Sequence, residues 1–87
     1  MQVKNMTSNK GNFIPNQFII DDDNGDRFFQ SYDSIIVKIS NGKIYLDERT
    51  WDYSKTTGKY RNLFLWETKK ETEAKIKSGE YILTDLN

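Results

Sequence analysis

The chain of 87 residues lacks cysteine and histidine altogether and contains a single proline. Without cysteine it has no disulfide and no thiolate metal site. Without histidine it lacks the commonest general base, the commonest zinc ligand and the usual pH switch. Its longest apolar run, Leu63–Trp66, is four residues long, far short of the ~20 that a membrane-spanning helix needs. These absences exclude the most frequent forms of acid–base and zinc chemistry.

Neither sign of charge is in excess, because 13 basic residues balance 13 acidic residues. A net charge of zero argues against strong non-specific binding to nucleic acid. The N-terminal residues 1–12 have no apolar segment like that of a signal peptide. The length predicts one domain over residues 1–87, and we expect a soluble cytoplasmic protein without cofactor or bound metal.

Short alternating segments dominate the first half of the chain. Asn24-Gly25 and Asn41-Gly42 each separate two of these segments, and Asn-Gly is the strongest short signal for a hairpin of type I′, which needs positive φ at both turn residues. Tyr32-Asp33 is predicted to form a further tight bend. The predicted strands are Val3–Thr7, Gln17–Asp21, Arg27–Ser31, Ser34–Ile39 and Lys43–Leu46.

The second half has helical spacing. Tyr60, Leu63 and Phe64 lie at i, i+3 and i+4, which predicts a short helix with Thr56 or Thr57 as N-cap. Thr68 and Glu71 match a capping box, so a second helix is predicted over Lys69–Ser78, ended by Gly79 and followed by a strand at Tyr81–Leu83.

The order of these elements predicts an α+β fold, with an antiparallel sheet of five to six strands and two short helices on one face. The residues whose spacing places them in the predicted core are Ile35, Val37, Ile44, Leu63, Phe64, Ile76 and Leu83.

The segment 51–65, WDYSKTTGKYRNLFL, holds the densest set of contact-making side chains. Aromatic rings, cations and hydroxyls converge there at a helix start, where free amides and the helix dipole favour anions. Ordinary capping with a solvated basic face is the alternative, and the aromatic rings suit a small core as well as base stacking. Trp66 lies off the helical stripe and is predicted to be exposed. The candidate contact residues for a protein or a phosphate are Trp51, Tyr53, Lys55, Thr57, Lys59, Tyr60, Arg61 and Trp66.

Two other patterns do not support specific chemistry. The acidic stretch Asp21–Asp26 fits no register of a calcium loop, which needs glycine at position six and glutamate at position twelve. It is more typical of a solvated hairpin tip, with docking on a basic partner as the alternative. Ser54–Lys59 lacks the first glycine of a phosphate-binding P-loop, and Tyr60 replaces its magnesium-binding hydroxyl.

The chain resembles a family of short proteins carried by phages and mobile elements of Gram-positive, low-GC bacteria, for which no activity is established. The similarity rests on Phe29–Ile36, Leu46–Glu48, Trp51–Ser54, Thr56–Asn62, Phe64-Leu65 and Glu71–Tyr81. The resemblance implies a small accessory protein that works in an infected or element-bearing cell, and it transfers no functional residue.

Two functions are therefore expected. The first is a non-catalytic, protein-binding module that modulates or inhibits a host or phage complex, such as a defence complex. The alternative is a nucleotide or nucleic-acid binding protein that uses the helix start at Ser54–Arg61, and a steep loss of binding with salt would distinguish it.

Overall fold

The computed structural model describes all residues 1–87 and shows an α+β fold with six strands and two helices. The elements, in chain order, are β1 (Gln2–Thr7), β2 (Phe13–Asp21), β3 (Arg27–Ser31), β4 (Ser34–Ser40), β5 (Lys43–Asp47), α1 (Lys55–Leu65), α2 (Lys69–Ser78) and β6 (Tyr81–Thr84). The predicted strands and the second helix are confirmed. Strand β2 begins four residues earlier than predicted, and α1 ends at the predicted place before Trp66.

The six strands form one sheet in the order β1-β2-β3-β4-β5-β6. The first four pairings are antiparallel, as predicted, but β6 pairs with β5 in the parallel direction. The predicted antiparallel sheet is confirmed for β1 to β5, and the final strand, whose direction the sequence did not predict, runs parallel to its neighbour. A parallel pair needs a crossover of a dozen or more residues, and the two helices between β5 and β6 supply it.

The two Asn-Gly dipeptides both lie in hairpin turns, but the turns differ. Asn41 and Gly42 both have positive φ, 52° and 75°, and connect β4 directly to β5 as a type I′ turn requires. In the loop 22–26 only Gly25 is left-handed, with φ of 85°. Its amide donates to the Asp22 carbonyl at 3.4 Å, so this turn is of the type I class followed by a left-handed glycine. The type I′ prediction is wrong for this hairpin.

The core lies between the sheet and the two helices. The Phe29 ring stacks on the Phe64 ring of α1, with centroids 5.6 Å apart, which identifies the side of the sheet that the helices cover. The buried apolar residues are Met6, Ile14, Phe29, Ile36, Val37, Leu46 and Tyr81. Of the seven predicted core residues, Val37 is fully buried, and Ile44, Phe64 and Ile76 are partly buried against this core.

Three predicted core residues lie elsewhere. Leu63 and Leu83 are exposed, and Ile35 is only half-buried outside the core cluster. The register shifts between Phe29 and Gln30, so that Ile36 is the extra residue of a β-bulge. A bulge sets two adjacent residues opposite one partner, which explains why Ile36 and Val37 are both fully buried although strict alternation predicts otherwise.

Helix α2 has both predicted caps. The Thr68 hydroxyl accepts from the Glu71 amide at 3.2 Å, and the Glu71 carboxylate accepts from the Thr68 amide at 3.1 Å. Gly79 ends the helix with φ of 84°. Neither helix is long and apolar enough to cross a membrane.

Candidate contact surface on the first helix

Helix α1 begins two to three residues earlier than the sequence predicted. Ser54, not Thr56 or Thr57, is the N-cap, and its hydroxyl accepts from the Thr57 amide at 3.1 Å. Thr57 thereby falls on the buried side of the helix, where its hydroxyl lies 2.9 Å from that of Ser31 in β3. Serine, threonine and aspartate are all good N-caps, so composition alone did not choose among them.

Arg61 lies inside the protein. Its side chain is only 1% exposed, and its Nη1 donates to the Trp51 carbonyl and, at 3.3 Å, to the Asp52 carboxylate. Nη2 donates to the Asn62 side chain at 3.0 Å, and the guanidinium lies 5.2 Å from the centre of the Trp51 ring. The arginine therefore fastens the loop before α1 onto the helix.

Two of the predicted contact residues, Thr57 and Arg61, are buried in the free protein, and their contact with a partner stays a prediction. Trp51 and Tyr60 are half-buried and pack against the core, so core packing explains both rings. Four of the predicted contact residues remain accessible, and these are Tyr53, Lys55, Lys59 and Trp66.

Asp52 connects the approach to α1 with the start of α2. Its carboxylate accepts from Lys69 Nζ at 2.7 Å as well as from Arg61. Burial by itself raises the pKa of Asp52, but the hydrogen bonds and charges of Lys69 and Arg61 outweigh it and the pKa is lowered. The hydrogen bond to Asp52 in turn raises the pKa of Lys69. The role of Lys69 is not evident from the sequence, because its partner lies 17 residues away.

A polar cleft of about 520 Å³ opens between the starts of the two helices. No hydrophobic side chain lines it, and its residues are Asp52, Ser54, Lys55, Gly58, Lys59, Arg61, Asn62 and Lys69. Four cations face a single carboxylate, which is already bonded to Arg61 and Lys69. Lys55 and Lys59 make no salt bridge and are exposed. The cleft is thus suited to a carboxylate or a phosphate group.

The other end of α1 is apolar and exposed. Trp66, the C-cap residue, is 94% exposed and has a left-handed backbone with φ of 58° and ψ of 45°. Leu63, one turn earlier, is 54% exposed. An exposed Trp66 was predicted, whereas Leu63 was missed because its place in the helical stripe pointed to the core; its i, i+3 spacing to Trp66 was the available signal.

An apolar groove of about 760 Å³ lies beside these two side chains, between α1 and the end of β1. Its lining residues are Met6, Thr7, Asn9, Lys59, Asn62, Leu63, Trp66, Glu67 and Thr68. Lys59 and Asn62 line both the groove and the polar cleft. The two depressions therefore form one surface along α1, polar at its start and apolar at its end.

Two carboxylates outside this surface, Asp47 and Asp22, are engaged in structural contacts. Asp47 is buried and accepts from the Thr50 hydroxyl at 2.8 Å and from the Leu86 amide at 2.8 Å. Asp22 accepts from the amides of Asn24 and Asp26, each at 2.9 Å. Both carboxylates thus stabilise the turns that contain them.

Glu67, which sequence analysis missed, is the most enclosed carboxylate of the helix layer. Its side chain, 3% exposed, accepts from Lys75 Nζ at 2.7 Å, from the Tyr81 hydroxyl at 2.7 Å and from the Thr72 hydroxyl. Burial acts to raise its pKa, yet these hydrogen bonds lower it. Burial together with Glu67 raises the pKa of Tyr81 to about 12. Glu67 therefore ties the linker between the helices to both α2 and β6.

Residues 1–81 match a family of unknown function, DUF8033, and the chain belongs to that family. No curated protein and no solved structure matches the chain.

Proposed function

We propose that this member of DUF8033 is a non-catalytic, protein-binding module that modulates or inhibits a complex of a bacterial host or its phage, such as a defence complex, in the cytoplasm. The phage or mobile-element setting comes from the resemblance of its middle segment to small proteins of Gram-positive elements. The contact surface is the apolar groove with Leu63 and Trp66. The observation that carries the proposal is the exposure of Trp66 beside that groove.

The backbone of Trp66 supports a functional reason for this residue. A left-handed C-cap favours glycine or asparagine, because a larger side chain is strained there. A tryptophan at this position brings strain and an exposed apolar ring without any packing gain in the free protein. Strained residues of this kind are found at binding sites, where the contact made in the complex compensates for the strain. Tryptophan is also among the residues that contribute most to protein interfaces.

Replacement of Trp66 separates binding from folding. In the Trp66→Gly variant we expect the free energy of unfolding to rise by about 1 kcal/mol, because glycine adopts the left-handed C-cap without strain. Binding to the partner should weaken by at least ~2 kcal/mol, or roughly 30-fold. Urea denaturation measures the first effect and calorimetric titration with the partner measures the second.

The partner can be sought by capture from lysates of infected and uninfected bacteria, with and without nuclease. Phe13→Ala is the matched control, since Phe13 is 77% exposed but does not line the groove. The proposal requires a protein that wild type and Phe13→Ala retain, that Trp66→Gly loses, and whose capture survives nuclease. Equal capture by wild type and both variants would place the interface elsewhere.

The polar cleft supports a second candidate function, the binding of a phosphate-bearing ligand such as a nucleotide. The exposed cations Lys55 and Lys59 and the paired Lys69 would contact it, while Arg61 and Thr57 stay inside the protein. Here Lys59→Ala should weaken binding, added salt should have the same effect, and Trp66→Gly should not. Nucleotide titration of these two variants at low and high salt decides between the candidates.

A further inference from the structure

The side of the sheet opposite the helices, which we call the open face, carries a continuous row of apolar side chains. Because Phe29 stacks on α1, the neighbouring Phe28 points away from the helices. Strand pairing places one residue of each strand directly beside the next, from β1 to β6. This transverse row consists of Val3, Ile20, Phe28, Lys38, Tyr45 and Ile82.

Five of the six residues in the transverse row are apolar or aromatic, and Lys38 lies near its middle. The Lys38 ammonium is 5.9 Å from the centre of the Phe28 ring and 6.0 Å from that of Tyr45. Val3 and Ile82, at the two edges, are clearly exposed, and the four inner members are half-buried. Phe18 and Ile35, one row along, extend the apolar area.

The dimensions of the open face are those of a small interface. Five inter-strand spacings of about 4.8 Å make the transverse row about 24 Å long, and strands of five to seven residues are about 17–23 Å long. These dimensions give a flat area of about 400–550 Å² before the relief of the side chains is added, compared with ~800 Å² per partner in a standard interface. The chain also exposes 5820 Å², compared with about 5,400 Å² expected for a monomer of its mass.

The charges on the open face are self-complementary. Lys38 has one ionic partner, Asp26, at a loose 4.0 Å, and both side chains are partly exposed. A second copy related by a two-fold axis between these residues would place each Lys38 against the Asp26 of the other copy, since residue pairs across such an axis are reciprocal. The net charge of zero gives two copies no overall repulsion.

We propose that the open face is a homodimer interface, in which two copies pack sheet against sheet and exchange two Lys38–Asp26 ion pairs. The surface along α1 lies on the opposite side of the sheet and stays free in this dimer. The dimer would thus present two copies of the Trp66 groove, but it does not depend on the function proposed for that groove.

Analytical ultracentrifugation of the full chain tests the interface. Wild type should reach twice the chain mass of 10.3 kDa within a range of about 1–500 µM. Lys38→Glu and Asp26→Lys should each weaken dimerisation at least tenfold, because each juxtaposes like charges twice. Mixing the two variants should restore a dimer, because the introduced glutamate meets the introduced lysine and the two native residues meet each other. Circular dichroism melts confirm that each variant is folded.

Several results would overturn the proposal. A monomer throughout the concentration range would do so, as would a dimer that neither charge reversal weakens. If Trp66→Gly were monomeric while Lys38→Glu and Asp26→Lys remained dimeric, the dimer interface would lie on α1 instead. A monomer that binds single-stranded oligonucleotides, with loss on Tyr45→Ala, would assign the open face to stacked bases instead of a second copy.

Discussion

Phe28 and Phe29 are neighbours in β3, yet they belong to two different environments. Phe29 is fully buried and stacks on Phe64, whereas Phe28 lies half-buried on the open face beside Lys38. Both faces of the sheet are rich in apolar residues, but the helices cover only one of them. Hydrophobicity in this sequence therefore marks two surfaces, of which one builds the monomer core and the other is left for contact.

The same contrast recurs along α1. Its start contains polar residues that are enclosed, Thr57 and Arg61, and its end contains apolar residues that are exposed, Leu63 and Trp66. The Thr57 hydroxyl and both Nη atoms of Arg61 have internal partners, as buried polar groups usually do, whereas Arg61 Nε has no partner. The exposed apolar groups have none, and such patches mark interaction sites. Residue type alone thus misassigns both ends of the helix.

The largest expected effect is that of truncating Phe29. Phe29→Ala should lower the free energy of unfolding by about 3–5 kcal/mol, because it removes a fully buried ring together with its stacking contact to Phe64. Phe28→Ala should lower it by about 1 kcal/mol at low protein concentration, since that ring is only partly removed from water. Urea denaturation of both variants measures the difference. Equal losses would mean that the two faces are not distinct in the monomer.

A smaller loss of stability is expected when Glu67, which joins the linker between the helices to α2 and β6, is replaced. Glu67→Gln removes the charge that Lys75, Tyr81 and Thr72 share, and should destabilise the protein by about 2 kcal/mol, because Lys75 is partly exposed and regains some hydration. Glu73→Gln, on the exposed side of α2, is the control and should change stability by less than about 0.5 kcal/mol. Thermal melts compare the two; a Glu67 variant as stable as the control would show that the helix layer does not depend on this contact.

The smallest effect concerns the acid limb of the stability curve. The pKa of Glu67 is lowered in the folded state from its ordinary value of 4.5, so the unfolded chain takes up its proton at higher pH than the folded chain. The stability from Glu67 is therefore complete above about pH 4.5 and is lost as the pH falls toward the folded pKa. Asp47 and Asp52 act in the same direction.

Denaturation of wild type and Glu67→Gln between neutral and acid pH measures this contribution. Wild type should lose stability more steeply below about pH 4.5, and the two curves should approach each other there. Parallel curves would indicate that the Glu67 carboxylate has the same pKa in the folded and unfolded chains. At alkaline pH, the raised pKa of Tyr81, about 12, predicts a further loss of stability as the pH rises above about 10.

Local signals in the sequence predicted much of the fold. The capping box of Thr68 and Glu71, the helix end at Gly79 and the turn at Asn41-Gly42 depend on residues within a few positions of each other, and the structure confirms all three. Predictions were wrong where a residue far away in the sequence decides which side chains are buried. The N-cap at Ser54 depends on which side of α1 faces Ser31, and the burial of Ile36 depends on a bulge opposite Phe29.

The candidate site divides in the same way. An exposed Trp66 followed from its position off the helical stripe, and the exposure of Lys55 and Lys59 agrees with a basic helix start. The enclosure of Arg61 and the recruitment of Lys69 by Asp52 did not follow, because these contacts join the loop before α1 to two different helices. A cation pattern read along the chain cannot show which cations are already neutralised.

The sequence by itself determined the strands, both helices, the hairpin positions and the absence of cysteine and histidine chemistry, since these depend on short-range backbone preferences and composition. Only the tertiary structure decided the parallel direction of β6, the face of the sheet that the helices cover and the division of α1 into an internal start and an exposed end. The physical reason is that burial is a property of the whole arrangement. The same apolar side chain is core on one side of a sheet and contact surface on the other, and only the packing of the helices distinguishes Phe29 from Phe28.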